Sequence, residues 1–262
     1  MRDFFFQLEK NGFKNTSRAR FHSTLKQFYD YELKQKNVVE NPIEFIDKPS
    51  VKRNLPTVLN EKDIDSLLNH IRKNSLKSDS IAKQKKMKKI KCLIEILYST
   101  GLRVSELINL KIGDIDLNKR TLVVFGKGGK ERLVPLSTDA QKCLRNWLSE
   151  WDKIAKSQKR KNGEETIYLF PSKSKTGHLS RIWFYKLIKE IALKASLNPM
   201  VVSPHTLRHA FATHLLANGA DLRVIQTFLG HSDISSTEIY THILTHRLKD
   251  LIEKHHPLAN SK

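Results

Sequence analysis

The chain has 262 residues and is strongly basic, with 47 Lys and Arg against 27 Asp and Glu, a formal net charge of +20 and a pI near 9.9. This length can bury a substantial core, in one large or two modest domains. The charge predicts a polyanionic partner, although a lysine-rich composition by itself separates DNA poorly from RNA or an anionic membrane surface.

The sequence predicts neither a membrane span nor a signal peptide. No apolar run approaches the length of a membrane span, and the run Phe4-Phe5-Phe6 is far too short for a signal peptide. The two cysteines, Cys92 and Cys143, lie far apart and form no pair motif, which favours reduced thiols. We therefore expect a cytoplasmic protein with no membrane partner.

A proline-rich boundary divides the chain. Pro42, Pro49 and Pro56 cannot lie inside one helix, so the stretch from about Asn41 to Thr57 is predicted to be a linker region. Before it, residues 16–36 predict one helix. Its apolar residues at helical spacing are Phe21, Leu25, Phe28 and Leu33. The expected limits are a helical domain at 1–48, a linker at 49–57 and a larger domain at 58–262.

The larger domain begins with helical patterns. Residues 60–71 predict one helix, and the basic run 83–91 is most simply a solvated face, with contact to backbone phosphates as the alternative. A buried helical stripe follows and stops at Gly101. Its members are Ile90, Leu93, Ile94, Leu97 and Tyr98.

Arg103 lies where one helix ends and the next begins. Glu106 follows three residues later and could orient the guanidinium through a bidentate pair. The alternative is a plain surface ion pair. Leu107 and Leu110 are expected to pack the second of these helices.

Two strands are predicted next, at 121–125 and 131–136, and residues 126–130 join them with three glycines. Such a turn fits a hairpin that carries Lys127 into a groove. The alternative is a phosphate-binding loop, but the pattern G-x-x-x-x-G-K-[ST] is missing, which disfavours a nucleoside triphosphatase.

A helix of roughly 14 residues is predicted from Ser203-Pro204, a cap followed by proline, to Asn218-Gly219. His205 and Arg208 lie within about 60° of each other on this helix, since each residue turns about 100°. They share a face close to the helix N-terminus, where unpaired N–H groups suit a phosphate.

A second short helix is predicted from Asp221 to about Leu229, and Gly230 ends it. His231 then lies on a turn, and Tyr240 lies on a further short helix capped by Ser235-Ser236. Two imidazoles, a guanidinium and a phenol can thus converge, a set suited to attack on a phosphodiester.

Ordinary explanations exist for each of these residues alone, because a helical histidine or an arginine in a basic chain is usually solvated. His205, His209 and His214 also invite a zinc site. No glutamate follows His205 as a zinc-protease helix requires, so we expect no metal and no cofactor.

Five motifs in order resemble the tyrosine recombinases, or phage integrase family, and within it the bacterial Xer recombinases. The similarity runs from about Lys14 to His256. The motifs are Thr-Gly-Leu-Arg-Val-Ser-Glu-Leu at 100–107, Gly-Lys-Gly-Gly-Lys-Glu-Arg-Leu-Val-Pro-Leu at 126–136, Ser-Pro-His-Thr-Leu-Arg-His-Ala-Phe-Ala-Thr-His-Leu at 203–215, Leu-Gly-His-Ser at 229–232 and Ile-Tyr-Thr-His at 239–242.

The resemblance implies an α+β, mostly helical catalytic domain with a small antiparallel sheet at 58–262. A partial helical core-binding domain precedes it, because residues 1–48 leave room for about two of the family's roughly four helices. The missing portion resembles the front half of that domain, so half of the clamp around DNA is in question. The implied catalytic residues are Arg103, Lys127, His205, Arg208, His231 and the nucleophile Tyr240.

The implied reaction cuts and rejoins double-stranded DNA through a 3′-phosphotyrosyl intermediate, in a homo- or hetero-tetramer with a related recombinase on two DNA sites. The implied role is resolution of chromosome dimers. Alternatives are the integrase of a mobile element, a type IB topoisomerase and a truncated DNA-binding remnant. The amphipathic segment 245–255 packs either on its own domain or on a neighbouring protomer.

Overall fold

The computed structural model describes residues 1–51, 58–76, 80–126, 129, 131–157, 166–230 and 250–257, with the side chains of 75–76 and 154–157 left aside. The chain forms two compact units, Met1–Pro56 and Thr57–Lys262. The architecture is mostly helical with a small antiparallel sheet, which confirms the expected fold class. The assignment of the first unit to a partial core-binding domain stays a prediction.

The elements of the described residues follow in chain order. The first unit contains α1 (Arg2–Lys10) and α2 (Asn15–Lys34). The second contains α3 (Glu61–Leu76), α4 (Ile81–Thr100), α5 (Val104–Ile108), a 3₁₀ turn (Ile112–Asp114), β1 (Ile115–Asp116), β2 (Thr121–Phe125), β3 (Glu131–Pro135), α6 (Thr138–Ser157), α7 (Arg181–Lys194), α8 (Pro204–Ala217) and α9 (Leu222–Leu229). Residues 250–255 are also helical.

The first unit has a small core of its own, made by Phe5, Leu8 and Ile43. The predicted helix is present as α2, but only part of its apolar stripe is covered. Phe21 and Leu25 pack against the core, whereas Phe28 and Leu33 are exposed. The sequence prediction did not include α1, whose Phe5 and Leu8 supply most of this core.

Helix α4 is the central element of the second unit and packs against α3, α6 and α8. The predicted stripe is buried, and the helix ends at Gly101 with a left-handed φ of 56°. A Cβ at Gly101 would lie 2.5 Å from the Phe211 ring of α8, so the close approach of the two helices requires glycine here.

The basic run at 83–91 is not simply a solvated face. Lys88 donates to Glu150 of α6 at 2.9 Å, and Lys85 lies 3.7 Å from the same carboxylate. Lys89 donates to the Pro171 carbonyl at 2.9 Å, and burial lowers its pKa to about 8. These lysines therefore hold α4 to its neighbours.

The sheet has the order β1-β2-β3 with antiparallel pairing throughout. Both predicted strands are present, and Leu122 pairs with Val134 while Phe125 pairs with Glu131. The two-residue β1 was not predicted, because a segment this short carries no alternation of apolar and polar residues. The β2–β3 pairing places Phe125 opposite Glu131, the residues that flank the 126–130 connection.

The two helices predicted from Ser203 to Asn218 and from Asp221 to Leu229 are confirmed as α8 and α9. Ser203 Oγ accepts from the Thr206 N–H at 3.1 Å and caps α8, which begins at Pro204. The Asp221 carboxylate caps α9 in the same way, and Gly230 ends α9 with a φ of 68°.

Residues 250–257 pack on the second unit. Leu251 and Ile252 join its core, and His256 is buried against Tyr98. The described part of the C-terminal segment thus follows the first of the two alternatives, packing on its own domain. None of the helices in the described ranges is long and apolar enough to cross a membrane.

Candidate active site

Arg103 and Glu106 form a buried contact at the start of α5. Arg103 has extended backbone dihedrals and precedes the first helical residue, which leaves its N–H free to donate to Glu106 Oε2 at 2.8 Å. Its guanidinium donates to Glu106 Oε1 at 3.0 Å. The predicted contact is present, but its bidentate form was wrong, because the guanidinium makes one bond and the backbone N–H makes the other. Because the Glu106 side chain is only 5% exposed, this is not a surface ion pair.

Arg132 of β3 binds the same carboxylate through both of its terminal nitrogens. Nη1 donates to Glu106 Oε1 at 3.0 Å and Nη2 to Oε2 at 2.9 Å. Sequence reasoning assigned no role to Arg132. A signal was available, since Arg132 shares a strand face with the buried Val134 and an inward-facing arginine requires a buried counter-charge.

Arg208, in the first turns of α8, ties three elements together. It donates to the Gly101 carbonyl at the end of α4 and to the Leu229 carbonyl at the end of α9, the latter at 2.8 Å. Its Nη1 lies 4.0 Å from Glu106 Oε2. Burial, followed by repulsion from Arg103, lowers the pKa of Arg208 to about 10, so the group stays charged at neutral pH.

The four side chains Arg103, Glu106, Arg132 and Arg208, hereafter the guanidinium cluster, carry three positive charges and one negative charge. Burial by itself would raise the pKa of Glu106, but hydrogen bonds from Arg132 and Arg103 outweigh burial and hold that pKa below its usual value. The carboxylate is therefore ionised at neutral pH. The cluster keeps a formal charge of +2, which suits an anionic group at its open side.

The open side is formed by Arg103, whose side chain is 44% exposed, compared with 12% for Arg208. His205 is exposed in the first turn of α8, three residues before Arg208. The expected shared face of His205 and Arg208 at the helix N-terminus is therefore present. The structure joins Arg103 and Arg208 through Glu106.

The remaining predicted site residues, Lys127, His231 and Tyr240, lie outside the described residues. The two described residues that precede His231 lie at the cluster. The Leu229 carbonyl is bound by Arg208, and the Gly230 carbonyl lies 3.5 Å from Arg103 Nη2. The described chain before His231 therefore reaches the guanidinium cluster at Leu229 and Gly230.

One of the three histidines of the zinc alternative, His214, has both ring nitrogens in hydrogen bonds within the core. His214 Nε2 donates to the Leu59 carbonyl, and its Nδ1 is 2.8 Å from the Tyr98 hydroxyl. In the parts of the chain that the structure describes, no three His, Cys, Asp or Glu side chains are arranged to hold a metal ion.

Comparisons with known proteins agree with this geometry. The model of the phage integrase family matches residues 57–247. The chain is 44% identical over 260 residues to the tyrosine recombinase XerD of Bradyrhizobium diazoefficiens, covering 99% of this chain and 81% of that protein.

Two solved structures are also similar. One is the XerH site-specific recombinase bound to palindromic difH substrate in a post-cleavage complex, with a TM-score of 0.69, 26% identity and coverage of 96% of this chain and 70% of that one. The other is the XerA recombinase, with a TM-score of 0.55, 28% identity and coverage of 98% and 82%.

Proposed function

The chain belongs to the phage integrase family and is a site-specific tyrosine recombinase, and from this premise we propose which residues perform its reaction. The proposed catalytic residues are Arg103, Lys127, His205, Arg208, His231 and Tyr240. The observation that carries the proposal is the convergence of Arg103 and Arg208 on one buried, ionised carboxylate, with positive charge left over.

Arg103 and Arg208 have the role of stabilising charge. A phosphodiester gains negative charge as it becomes pentacoordinate, and fixed guanidiniums can hold its non-bridging oxygens without a metal ion. Arg208 is fixed by two backbone carbonyls and Arg103 by Glu106, so both are pre-organised before DNA arrives. Such pre-organisation lowers the barrier, because little rearrangement remains for the reaction itself.

Tyr240 is the proposed nucleophile. Its oxygen attacks the phosphorus in line, a bond to the 3′ phosphate forms, and the bond to the 5′ oxygen breaks. A tyrosine phenol has an ordinary pKa of about 10, so its proton must leave during attack, and His205 assists that transfer. Lys127 protonates the departing 5′ oxygen, and His231 donates to a non-bridging oxygen.

Rejoining is the reverse reaction with a different strand. The 5′ hydroxyl of the partner strand attacks the phosphotyrosyl bond, and Tyr240 leaves with a proton returned to it. No nucleotide cofactor is required, because the phosphotyrosyl bond keeps the energy of the original phosphodiester.

The biological role that we propose is resolution of chromosome dimers in the bacterial cytoplasm. The reaction takes place in a homo- or hetero-tetramer with a related recombinase on two DNA sites. Support comes from 44% identity to a XerD recombinase across nearly the whole chain. The structural neighbours include recombinases bound to DNA, which supports DNA as the substrate.

A nicked suicide duplex tests the proposed chemistry. The DNA site is first selected by the protein from a random duplex library. A nick is then introduced beside the cleavage position, so that the short fragment released by cleavage diffuses away and the covalent adduct cannot be rejoined. The wild type should give a covalent protein–DNA band on a denaturing gel, and Tyr240→Phe should give none. A band of equal intensity from both proteins would refute the assignment of Tyr240.

A plasmid that carries two copies of the selected site separates the proposed role from the topoisomerase alternative. Recombination should resolve it into two circles when the partner recombinase is present. Relaxation of a single-site plasmid with no resolution of the two-site plasmid would contradict the proposed role.

A further inference from the structure

We propose that Arg132 is a positioning residue for cleavage, which acts through Glu106 on Arg103 and through its own side chain on the backbone at Gly230. The inference rests on the proposed function, because it concerns the same site. Arg132 is assigned no chemical step. Its expected effect is on the geometry of the groups that contact the phosphate.

The first argument is the sharing of one carboxylate. Glu106 accepts four hydrogen bonds, two from Arg103 and two from the guanidinium of Arg132. A carboxylate held in a bidentate pair has a fixed plane, whereas one held by a single partner can rotate. Arg132 therefore sets the direction in which Glu106 presents Oε1 to Arg103.

The second argument is the difference in exposure between the two arginines. The Arg132 side chain is 17% exposed and the Arg103 side chain 44% exposed. Arg103 is the group that can meet a bulky anionic substrate, and Arg132 lies behind Glu106. Removing Arg132 should therefore alter the reaction more than it alters binding of DNA.

The third argument is the contact with Gly230. A Cβ placed on Gly230 would lie 3.4 Å from Cδ and Nε of Arg132, so the arginine side chain occupies the space beside this glycine. Gly230 immediately precedes His231, and its carbonyl lies 3.5 Å from Arg103. One side chain of β3 thus binds Glu106 and lies beside Gly230, the residue before His231.

The fourth argument is an unpaired donor. Arg132 Nε is buried and has no hydrogen-bond partner among the described residues. A buried donor without a partner costs free energy, and native proteins usually avoid one. The presence of an arginine here despite this cost fits a demand for its two-pronged geometry, which a lysine cannot supply.

The experiment measures single-turnover formation of the covalent adduct on the nicked duplex, at saturating DNA, with DNA affinity and thermal unfolding measured in parallel. Arg132→Met should slow adduct formation by about 10- to 100-fold, because a small misplacement of catalytic groups costs this much. DNA affinity should change less than threefold. Arg132→Lys should recover part of the rate, since it keeps the charge but loses the fork.

A pH profile separates positioning from a general loss of structure. Without Arg132, the charged groups that remain near Glu106 among the described residues are Arg103, Arg208 and Asp114. Burial is then opposed by fewer hydrogen bonds, so the pKa of Glu106 should be higher in the variant than in wild type. A protonated Glu106 no longer accepts both Arg103 bonds. The ratio of the Arg132→Met rate to the wild-type rate should therefore rise as the pH is raised.

Glu106→Gln provides the coupling test, because glutamine keeps the shape without the charge. If Arg132 acts through Glu106, adding Arg132→Met to Glu106→Gln should cost much less than the sum of the two single changes, and the pH-dependent ratio should disappear. Arg145→Met is the matched control, since it makes the same chemical change at an exposed arginine of α6 and should leave the rate unchanged.

The outcomes distinguish this inference from the proposed function. A wild type that forms no adduct overturns both. A wild type that forms the adduct, with an Arg132→Met variant of equal rate and pH profile, overturns the Arg132 role alone. If Arg132→Met does not fold, Arg132→Lys and its coupling to Glu106→Gln decide the question, and full additivity would refute the inference.

Discussion

Two buried polar sites lie at the end of α4, and they have opposite electrostatic character. The guanidinium cluster is ionised and partly open, with Arg103 reaching solvent. The second site, hereafter the neutral network, consists of Tyr98, His214 and His256, and it is enclosed by the core. Helix α8 contributes a side chain to each site, Arg208 to the first and His214 to the second. Helix α4 contributes Tyr98 to the second site and is followed by Gly101, whose carbonyl binds Arg208 at the first.

The difference follows from the partners available to each group. In the guanidinium cluster, Glu106 meets arginines that are permanently charged, so hydrogen bonds and charge compensation outweigh burial. In the neutral network the partners are a phenol, an imidazole and backbone carbonyls. Burial therefore dominates, lowering the pKa of His256 to about 4 and raising that of Tyr98. We infer that the first site serves the reaction and the second serves the fold.

The largest expected effect is that of Arg208→Lys on cleavage. A lysine keeps the charge but cannot bind the Gly101 and Leu229 carbonyls while also facing the phosphate. We expect adduct formation to fall by about 10³-fold, the loss typical of one fixed oxyanion donor. Single-turnover cleavage of the nicked duplex measures it, and a rate within threefold of wild type would contradict a catalytic role for this geometry.

Gly101→Ala should be the most damaging change to stability, by about 4 kcal/mol, through the left-handed φ and the clash with Phe211. Urea unfolding measures it. Gly113→Ala is the matched control, because a Cβ there meets no atom within 4 Å. If the two substitutions cost the same, the close approach of α4 and α8 is not what requires glycine.

His256 should make stability depend on pH. Its folded pKa of about 4 lies below its ordinary value of 6.5, so its contribution is present above about pH 6.5 and is lost as the pH falls towards 4. The free energy of unfolding should fall by about 3 kcal/mol over this range, because a buried imidazole that is neutral in the fold gains a proton on unfolding. Unfolding measured at several pH values should show this slope in wild type and not in His256→Phe.

His70→Gln is the control for this measurement, because His70 is half-buried on α3 and bonds only to Asn74 among the described contacts. The slope should persist in that variant. A slope of equal size in His256→Phe would show that other groups cause the acid sensitivity.

The smallest effect is expected from Tyr98→Phe, about 1 kcal/mol of stability, because His214 Nδ1 loses its hydroxyl partner within the core. Adduct formation by the folded variant should equal that of wild type. A loss of cleavage without a matching loss of stability would mean that the neutral network takes part in the reaction, and the contrast between the two sites would fail.

The sequence predicted best where local chemistry decides the structure. Helix α8 was bounded correctly, because Ser203, Pro204 and Asn218 are end signals that act within one turn. The buried stripe of α4 was correct for a similar reason, since helical periodicity alone reveals it. The Arg103–Glu106 contact followed from their spacing on one helix turn.

Features that depend on distant residues were missed. Arg132 and Glu106 lie 26 positions apart in the chain, and the strand pattern indicates that Arg132 faces inward without revealing that Glu106 is its partner. The lysines of α4 were interpreted as solvated, since Glu150 lies far along the chain. Helix α1 was missed because its three phenylalanines were considered only as a possible signal peptide, and the helical spacing around them was not tested.

Identification of the modified residue in the covalent adduct tests the central claim most directly. The adduct formed on the nicked duplex is digested with nuclease and protease, and the peptide that carries the nucleotide is sequenced by mass spectrometry. The account predicts a phosphotyrosyl nucleotide at Tyr240. The chain has six tyrosines in total. Attachment to any tyrosine other than Tyr240, or to a serine, would contradict the account.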